Sequence, residues 1–273
     1  NFGARVIVHA VEWGQPFDPR IIAQIAQEHR VQAVLVTHNE TSTGILNPVE
    51  ELGALLASQP DHPLLLVDSI SGVPSIPLHV DQPGIDVIIA ASQKGFMCPP
   101  GLGIIAANAA ARHRISESPD HRYYFDLRPY FDDQFPYTPA VSLWYGLQAA
   151  LELLDEEGED LRAARHVLLS RMTRAFGAHA GWEPMVSNNA AASPTVTALR
   201  VSDPAALKKA AQSQSLQIAG GMGPWHSIAV RIGHVGAVSP SMLFAGLGVL
   251  AHFAPQGESG LIAAWNIWHE FLA

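Results

Sequence analysis

The sequence predicts an α/β protein with a large domain built on a mainly parallel sheet and a smaller α+β domain at its C-terminal end. Short apolar runs alternate with longer amphipathic stretches from residue 31 to about 108, the pattern of β-α-β units. A different alternation of helices and strands follows residue 157. With 273 residues, 48% of them hydrophobic, the chain can bury both cores. We therefore predict a large domain over 1–156 and a small domain over 157–273.

Four apolar runs, at 33–36, 64–67, 86–90 and 103–106, are the predicted strands of the large domain. Strands buried on both faces are typically unbroken apolar runs of this kind. Pro48 begins a helix whose apolar positions follow helical spacing. Ligands of parallel sheets bind beyond the carboxyl ends of the strands. Thr41, Asp68 and Lys94 follow three of these runs and are expected at that edge.

The remaining elements are expected in the following order. Residues 110–135 are rich in charge, aromatic side chains and proline, which predicts irregular structure before a helix that begins near Pro139. In the small domain, periodicity predicts helices at 161–178 and 204–214, strands at 195–201 and 228–232, and a last helical region.

Composition excludes several classes of function. A net charge of −9 without any basic run argues against nucleic acid or an anionic membrane as the main partner. No run reaches the ~20 apolar residues of a membrane span. Cys98 is the single cysteine, which excludes internal disulfides and suits a reducing cytoplasm. The thirteen histidines form no pair with metal-ligand spacing, so we predict no metal.

Asp68 and Lys94 are the residues with the clearest chemical meaning, because they end two successive strands of one β-α-β step. Pyridoxal phosphate (PLP) catalysis needs a lysine amine to bind the cofactor aldehyde and an acid to keep the ring nitrogen protonated. The polar loop T-H-N-E-T-S-T-G at 37–44 follows the first strand. Its hydroxyls either bond the cofactor or satisfy their own backbone.

Four motifs together resemble the class V aminotransferases of the PLP type I fold, specifically the alanine:glyoxylate and serine:glyoxylate or serine:pyruvate group. That group shows a [GN]-E-[ST]-S-T-G loop, an L-L-V-D-S strand end, a G-I-D-[VI] strand start, and S-Q-K followed by P-P-G. Here these motifs occupy 39–44, 65–69, 84–87, and 92–94 with 99–101. Segments 137–142, 220–223 and 230–233 extend the resemblance over nearly the whole chain.

The resemblance implies a role for each matching residue. Lys94 is the Schiff-base lysine and Asp68 pairs with the pyridinium nitrogen. Gln93 and Thr41 contact polar edges of the cofactor. Arg231 grips the substrate carboxylate, for which the planar guanidinium is well suited.

The resemblance also implies a homodimer with shared active sites, because Thr138 lies in a loop that reaches the cofactor phosphate of the neighbouring subunit. The implied reaction transfers an amino group from serine or alanine to glyoxylate or pyruvate in a ping-pong cycle.

The sequence departs from the family in two places. The family's N-terminal segment, with a phosphate loop at a helix N-terminus and an aromatic that stacks on the ring, has no counterpart in the sequence. Phe135 stands where members often have a tyrosine that reaches the partner's phosphate. We therefore expect a chain that is N-terminally incomplete relative to the family: a fragment, a processed product or a degenerate product that binds PLP poorly.

Other interpretations remain open. Taken singly, Asp68 fits a helix cap, Lys94 a solvated loop lysine and Arg231 a surface ion-pair partner. A cysteine desulfurase shares the fold but usually has His before the lysine, where this chain has Gln93. Cys98 is expected to be a buried structural thiol. A non-catalytic dimerisation module of the same fold is the third alternative.

Overall fold

The computed structural model describes residues 3–119, 123–132 and 135–272. The elements of its N-terminal part follow one another closely. They are α1 Pro19–His29, β1 Ala33–Thr37, β2 Asn39–Glu40, β3 Ile45–Leu46, α2 Val49–Ala57, β4 Leu64–Asp68, β5 Val87–Ala91, β6 Gly103–Ala107 and α3 Ala109–Glu117.

The C-terminal part begins with two long helices and continues with an α+β arrangement. Its elements are α4 Val141–Glu157, α5 Glu159–Ala180, β7 Val196–Arg200, α6 Pro204–Ser213, β8 Ala219–Gly220, β9 Ala229–Gly233, α7 Pro240–Ala251 and α8 Gly257–Leu272. None of the helices described combines the length and the hydrophobicity of a membrane span.

The larger sheet has the strand order β1-β4-β5-β6. The pairs β1–β4 and β4–β5 are parallel, whereas β6 runs antiparallel to β5. The prediction of a mainly parallel sheet is therefore confirmed, and each predicted strand is present. Thr37 pairs with Asp68 and Asp68 pairs with Ile89, so the ends of these three strands lie at one edge.

One face of this sheet is buried and the other is open. Leu65 and Val67 of β4 are fully buried and pack with the apolar sides of α1 and α2. On the opposite face, Leu35 of β1 is 75% exposed and Ile105 of β6 is 46% exposed. Because side chains alternate along a strand, Asp68 lies on the same open face, and its side chain is exposed.

The C-terminal sheet has the order β7-β9-β8 and is antiparallel. Its inner face packs on α5, α7 and α8, with Met172, Phe176 and Leu199 fully buried between them. Gly158, at a φ of +76°, separates α4 from α5. The predicted boundary between 156 and 157 lies in the last turn of α4, and the division into two domains stays a prediction.

Two helices differ from the sequence-based expectation. Residues 110–135 were predicted to be irregular, but α3 covers Ala109–Glu117. The prediction was wrong there because the Asn108 side chain accepts the Ala111 N–H at 2.9 Å and caps the helix. Helix α1 was not predicted at all, although Asp18 is its N-cap and Pro19 occupies its first turn.

Candidate active site

Asp68 lies at the end of β4, where backbone hydrogen bonds continue beyond the strands. His38 N–H donates to the Asp68 carbonyl at 2.8 Å, and Ser69 N–H donates to the Ile89 carbonyl at 2.9 Å. The Asp68 Oδ1 atom accepts the Ile70 N–H at 3.0 Å. This turn orients an exposed carboxylate at the carboxyl edge of the sheet, as predicted.

Lys94 lies in a tight turn just after β5. Met97 N–H donates to the Lys94 carbonyl at 3.0 Å, and Cys98 N–H donates to the Ser92 carbonyl at 2.9 Å. The Ser92 hydroxyl donates to the Pro99 carbonyl at 2.8 Å, which closes the turn from inside. Lys94 is half-buried and Gln93 is exposed. Within the described ranges, no hydrogen-bond or ion-pair partner of the Lys94 amine is found.

Thr41 belongs to a buried hydroxyl network after β1. Its Oγ1 donates to Ser71 Oγ at 2.7 Å, and Ser71 Oγ donates to the Asn39 carbonyl at 2.8 Å. Asn39 Nδ2 reaches Thr195 Oγ1 at 3.0 Å in the C-terminal part of the chain. Thr41 therefore uses its own proton within the protein and has only acceptor capacity for a ligand.

Arg231 of β9 joins the C-terminal sheet to this network. Its Nε donates to the Gly220 carbonyl and its Nη1 to the Thr41 carbonyl, both at 2.8 Å. Burial lowers the pKa of Arg231, and the nearby Glu40 carboxylate opposes that shift. Two of its five N–H groups are thus used among the described residues, and three remain available to a carboxylate.

His38 and Ser71 are site residues that the sequence analysis missed. His38 is buried, shares a hydrogen bond of 2.9 Å between Nδ1 and Ser69 Oγ, and has its pKa lowered to about 4 by burial. It is therefore neutral at pH 7 and fixes the backbone beside Asp68. The signal was its place in the loop at 37–44, but a single histidine there carries no spacing pattern.

The other predicted residues lie as follows. Cys98 is buried, as predicted, with Sγ 3.4 Å from the Phe96 carbonyl, and burial raises the pKa of its thiol. Thr138 and Phe135 are exposed shortly before α4. The role of Thr138 toward a partner subunit stays a prediction. Among the described residues, no group of three His, Cys, Asp or Glu side chains is arranged to hold a metal.

Comparison with known proteins places the chain in a family. The family model for aminotransferase class-V matches residues 2–249. Serine–glyoxylate aminotransferase of Arabidopsis thaliana is 33% identical over 263 residues, which cover 92% of this chain and 64% of that protein. The serine–glyoxylate aminotransferase of Methylorubrum extorquens is 33% identical over 264 residues, covering 90% of this chain and 65% of that one.

A solved structure agrees with these sequence relatives. Pyridoxamine-pyruvate aminotransferase from Mesorhizobium loti superposes with a TM-score of 0.88 at 27% identity, covering 95% of this chain and 71% of that structure. The chain spans slightly less than two thirds of the length of the two curated relatives. The family match and the shared fold together show that this chain belongs to the class V aminotransferases, which are PLP-dependent enzymes of fold type I.

Proposed function

We propose that this chain carries the catalytic lysine of a homodimeric transaminase that moves an amino group from serine or alanine to glyoxylate or pyruvate. The observation that carries the proposal is the common edge of the parallel strands β4 and β5. There the exposed acid Asp68 ends β4, and Lys94, whose amine has no partner among the described residues, lies in the turn just after β5. Arg231 approaches the neighbouring loop through Thr41.

The donor set at this edge fits PLP. The Asp68 carboxylate accepts the Ile70 N–H and is exposed, which supports a contact with the ring nitrogen. Lys94 would bind the cofactor aldehyde through Nζ, and Thr41 would accept a hydrogen bond. When bound, PLP supplies an electron sink for the charge left on the substrate α-carbon.

Each of the three charged residues then has a distinct task. Once the amine of the donor substrate has displaced it from the cofactor, the freed Lys94 Nζ takes a proton from the substrate α-carbon and returns it, as general base and then acid. The negative charge of the Asp68 carboxylate would favour the protonated form of the cofactor ring nitrogen beside it. The free N–H groups of Arg231 hold the substrate carboxylate, which fixes the α-carbon relative to Nζ.

The relatives support a choice of substrates. Two proteins that are 33% identical to this chain over the matched regions are named serine–glyoxylate aminotransferases. We expect a ping-pong cycle, because the amino group passes first from the donor substrate to the enzyme and then from the enzyme to the acceptor. Cys98, the single cysteine, is free and buried. Free cysteines are typical of reducing compartments, so we also propose a cytoplasmic location.

The open face of the larger sheet belongs to the same proposal. Parallel sheets are normally covered on both faces, yet Leu35 is 75% exposed on this one. The curated relatives are longer than the matched region by about a third of their length. We propose that further polypeptide, in the same chain or a separate one, covers this face in the complete enzyme.

A desulfurase is less well supported than a transaminase. Its reaction needs a mobile, exposed cysteine, whereas Cys98 is buried and its sulfur lies 3.4 Å from the Phe96 carbonyl in the Lys94 turn. Burial also raises the pKa of this thiol, which disfavours the reactive thiolate.

The test is transfer from L-serine or L-alanine to glyoxylate or pyruvate with added PLP, in the unaltered chain and in two lysine variants. Lys94→Ala should lose turnover by about 10²–10⁴-fold, the contribution of a positioned general base. Lys209→Ala, on the exposed side of α6, is the matched control and should keep it. Equal activity in the two variants, or no transfer by the unaltered chain, would contradict the proposal.

A further inference from the structure

The turn that carries Lys94 is enclosed between two other segments. A Cβ added to Gly95 would lie 2.7 Å from Pro74 Cδ and 2.8 Å from Ser75 Oγ. A Cβ added to Gly236, which has a φ of +81°, would lie 3.2 Å from Met97 Cγ and 3.4 Å from the Lys94 carbonyl. The segments around Pro74 and Gly236 therefore pack closely against the turn from two sides, with no room for a Cβ at position 95 and a tight contact at position 236.

Helix α5 holds both of these segments. On one side, Arg162 Nε donates to the Pro74 carbonyl at 2.8 Å. On the other, Arg165 Nη1 donates to the carbonyls of Gly236 and Val238, both at 2.8 Å. Residues separated by three and four positions lie on one face of a helix, so a single face of α5 reaches both sides of the Lys94 turn.

His166 adds a third contact from the same face. It is fully buried, its Nδ1 lies 2.8 Å from the Arg162 carbonyl, and its Nε2 accepts the Gly236 N–H at 3.2 Å. A carbonyl only accepts, so Nδ1 carries the proton and Nε2 is the acceptor. The imidazole thereby fixes both the Gly236 amide and its own helix.

The two guanidinium groups of this face are bonded within the fold, Arg165 to a carboxylate and Arg162 to backbone carbonyls. Arg165 Nη2 donates to Glu157 Oε2 at 2.8 Å, and this hydrogen bond lowers the pKa of Glu157. Arg162 is buried and also donates from Nη1 to the Leu154 carbonyl at 2.8 Å. Buried polar networks whose members are bonded in this way are rigid and specify one arrangement.

We propose that the α5 face formed by Arg162, Arg165 and His166 is a positioning support that holds Lys94 at the edge of the sheet. These are positioning residues, since in the described part of the chain their hydrogen bonds reach the Lys94 turn through Pro74 and Gly236. The catalytic consequence rests on the proposed function. Displacing a reacting group by about 1 Å can cost about 10²-fold in rate, so the support would affect turnover without touching the substrate.

The first test needs no cofactor. Amide hydrogen exchange at Met97 and Cys98 reports whether the turn is held, because these amides close it. In Arg165→Gln, which loses the guanidinium contacts, we expect exchange at both amides to accelerate by about tenfold or more. Arg165→Lys should be affected less because it keeps a cationic donor. Arg171→Gln is the matched control, since Arg171 lies on the exposed side of α5 beside Glu270.

A second variant acts on the turn without altering the helix. Gly236→Ala brings a methyl group against Met97 and Lys94, so it should also accelerate exchange. Circular dichroism and thermal unfolding identify the variants that fold. Unchanged exchange at 92–98 in folded Arg165→Gln and Gly236→Ala would overturn the support.

The rate at which Lys94 is labelled by PLP and borohydride then tests whether the α5 face affects this lysine. In both variants, labelling of Lys94 should slow by about tenfold, the scale expected from a lost orientation, while that of Lys208 and Lys209 is unchanged. Equal slowing at all three lysines would overturn the specific role of α5. If the unaltered chain takes no label at Lys94, the proposed function fails, and the exchange result still decides the support.

Discussion

Arg231 Nη1 donates to the carbonyl oxygen of Thr41 at 2.8 Å, across 190 positions of sequence. The strand that carries the proposed substrate arginine is thereby tied to the loop after β1. The hydrogen bond also uses one donor of the guanidinium fork, so the side chain is oriented before any ligand arrives. Such preorganisation reduces the entropy lost on binding.

Arg231→Lys should weaken substrate binding more than it slows chemistry. An ammonium group cannot bond Gly220, Thr41 and a carboxylate in one plane. We expect KM for the amino donor to rise about 10–100-fold, the value of a charged hydrogen bond, with a smaller change in kcat. Steady-state kinetics measure both. Arg200→Lys, at the exposed end of β7, is the control, and an equal KM in both variants would argue against the assignment of Arg231.

Asp68→Asn should remove the charge at the end of β4 and keep the shape. Its amide oxygen still accepts the Ile70 N–H, so thermal stability should change little. Turnover should fall by about 10²–10⁴-fold because a neutral amide does not hold a proton on the ring nitrogen. Asp81→Asn, an exposed turn residue, serves as control. Full activity in Asp68→Asn would rule out the proposed pairing.

Stability should fall with acid because buried histidines are kept neutral. Burial lowers the pKa of His38 and of His166 to about 4, from an ordinary value of 6.5. Between pH 6.5 and about pH 4, these histidines bind protons in the unfolded chain but stay neutral in the folded chain. The stability is therefore present above pH 6.5 and lost as the pH falls towards 4, by about 3 kcal/mol for each histidine.

Urea unfolding of His38→Gln between pH 7 and pH 4 measures this effect. The variant should lose stability less steeply with falling pH than the unaltered chain does. His226→Gln, at an exposed position, should retain the full slope. Identical slopes in all three proteins would show that His38 binds its proton at the same pH in the folded and unfolded chains, which would contradict the lowered pKa.

The two faces of the larger sheet should respond differently to truncation. Leu65 is fully buried, so Leu65→Ala should cost about 2–5 kcal/mol of unfolding free energy. Leu35 is 75% exposed, so Leu35→Ala should cost less than about 1 kcal/mol. Denaturant titration compares them. A loss at Leu35 as large as at Leu65 would mean that another surface covers this face in solution.

The sequence predicted β1, β4, β5 and β6 well because each is an apolar run, whereas the two-residue strands β2, β3 and β8 were not predicted. It also located Asp68 correctly at the end of β4 and Lys94 just past the end of β5, since these positions depend only on where the two strands stop. The antiparallel direction of β6 was not predicted, because a short apolar run has no signal for its direction.

The side-chain hydrogen-bond networks could not be predicted from the sequence. Ser71 joins Asn39 and Thr41, and Asn39 reaches Thr195 across 156 positions, a contact that no local spacing indicates. For the same reason the sequence did not show that Thr41 donates its proton to Ser71. Helix α3 was missed because its charged composition masked the cap at Asn108.

The most direct test of the central claim is borohydride reduction of the chain with PLP, followed by peptide mapping of the modified lysine. The chain has three lysines, Lys94, Lys208 and Lys209, and the last two lie together on α6. We expect a PLP absorption band that reduction removes, with the label on Lys94. No band, or a label confined to Lys208 and Lys209, would contradict a cofactor site at the end of β5.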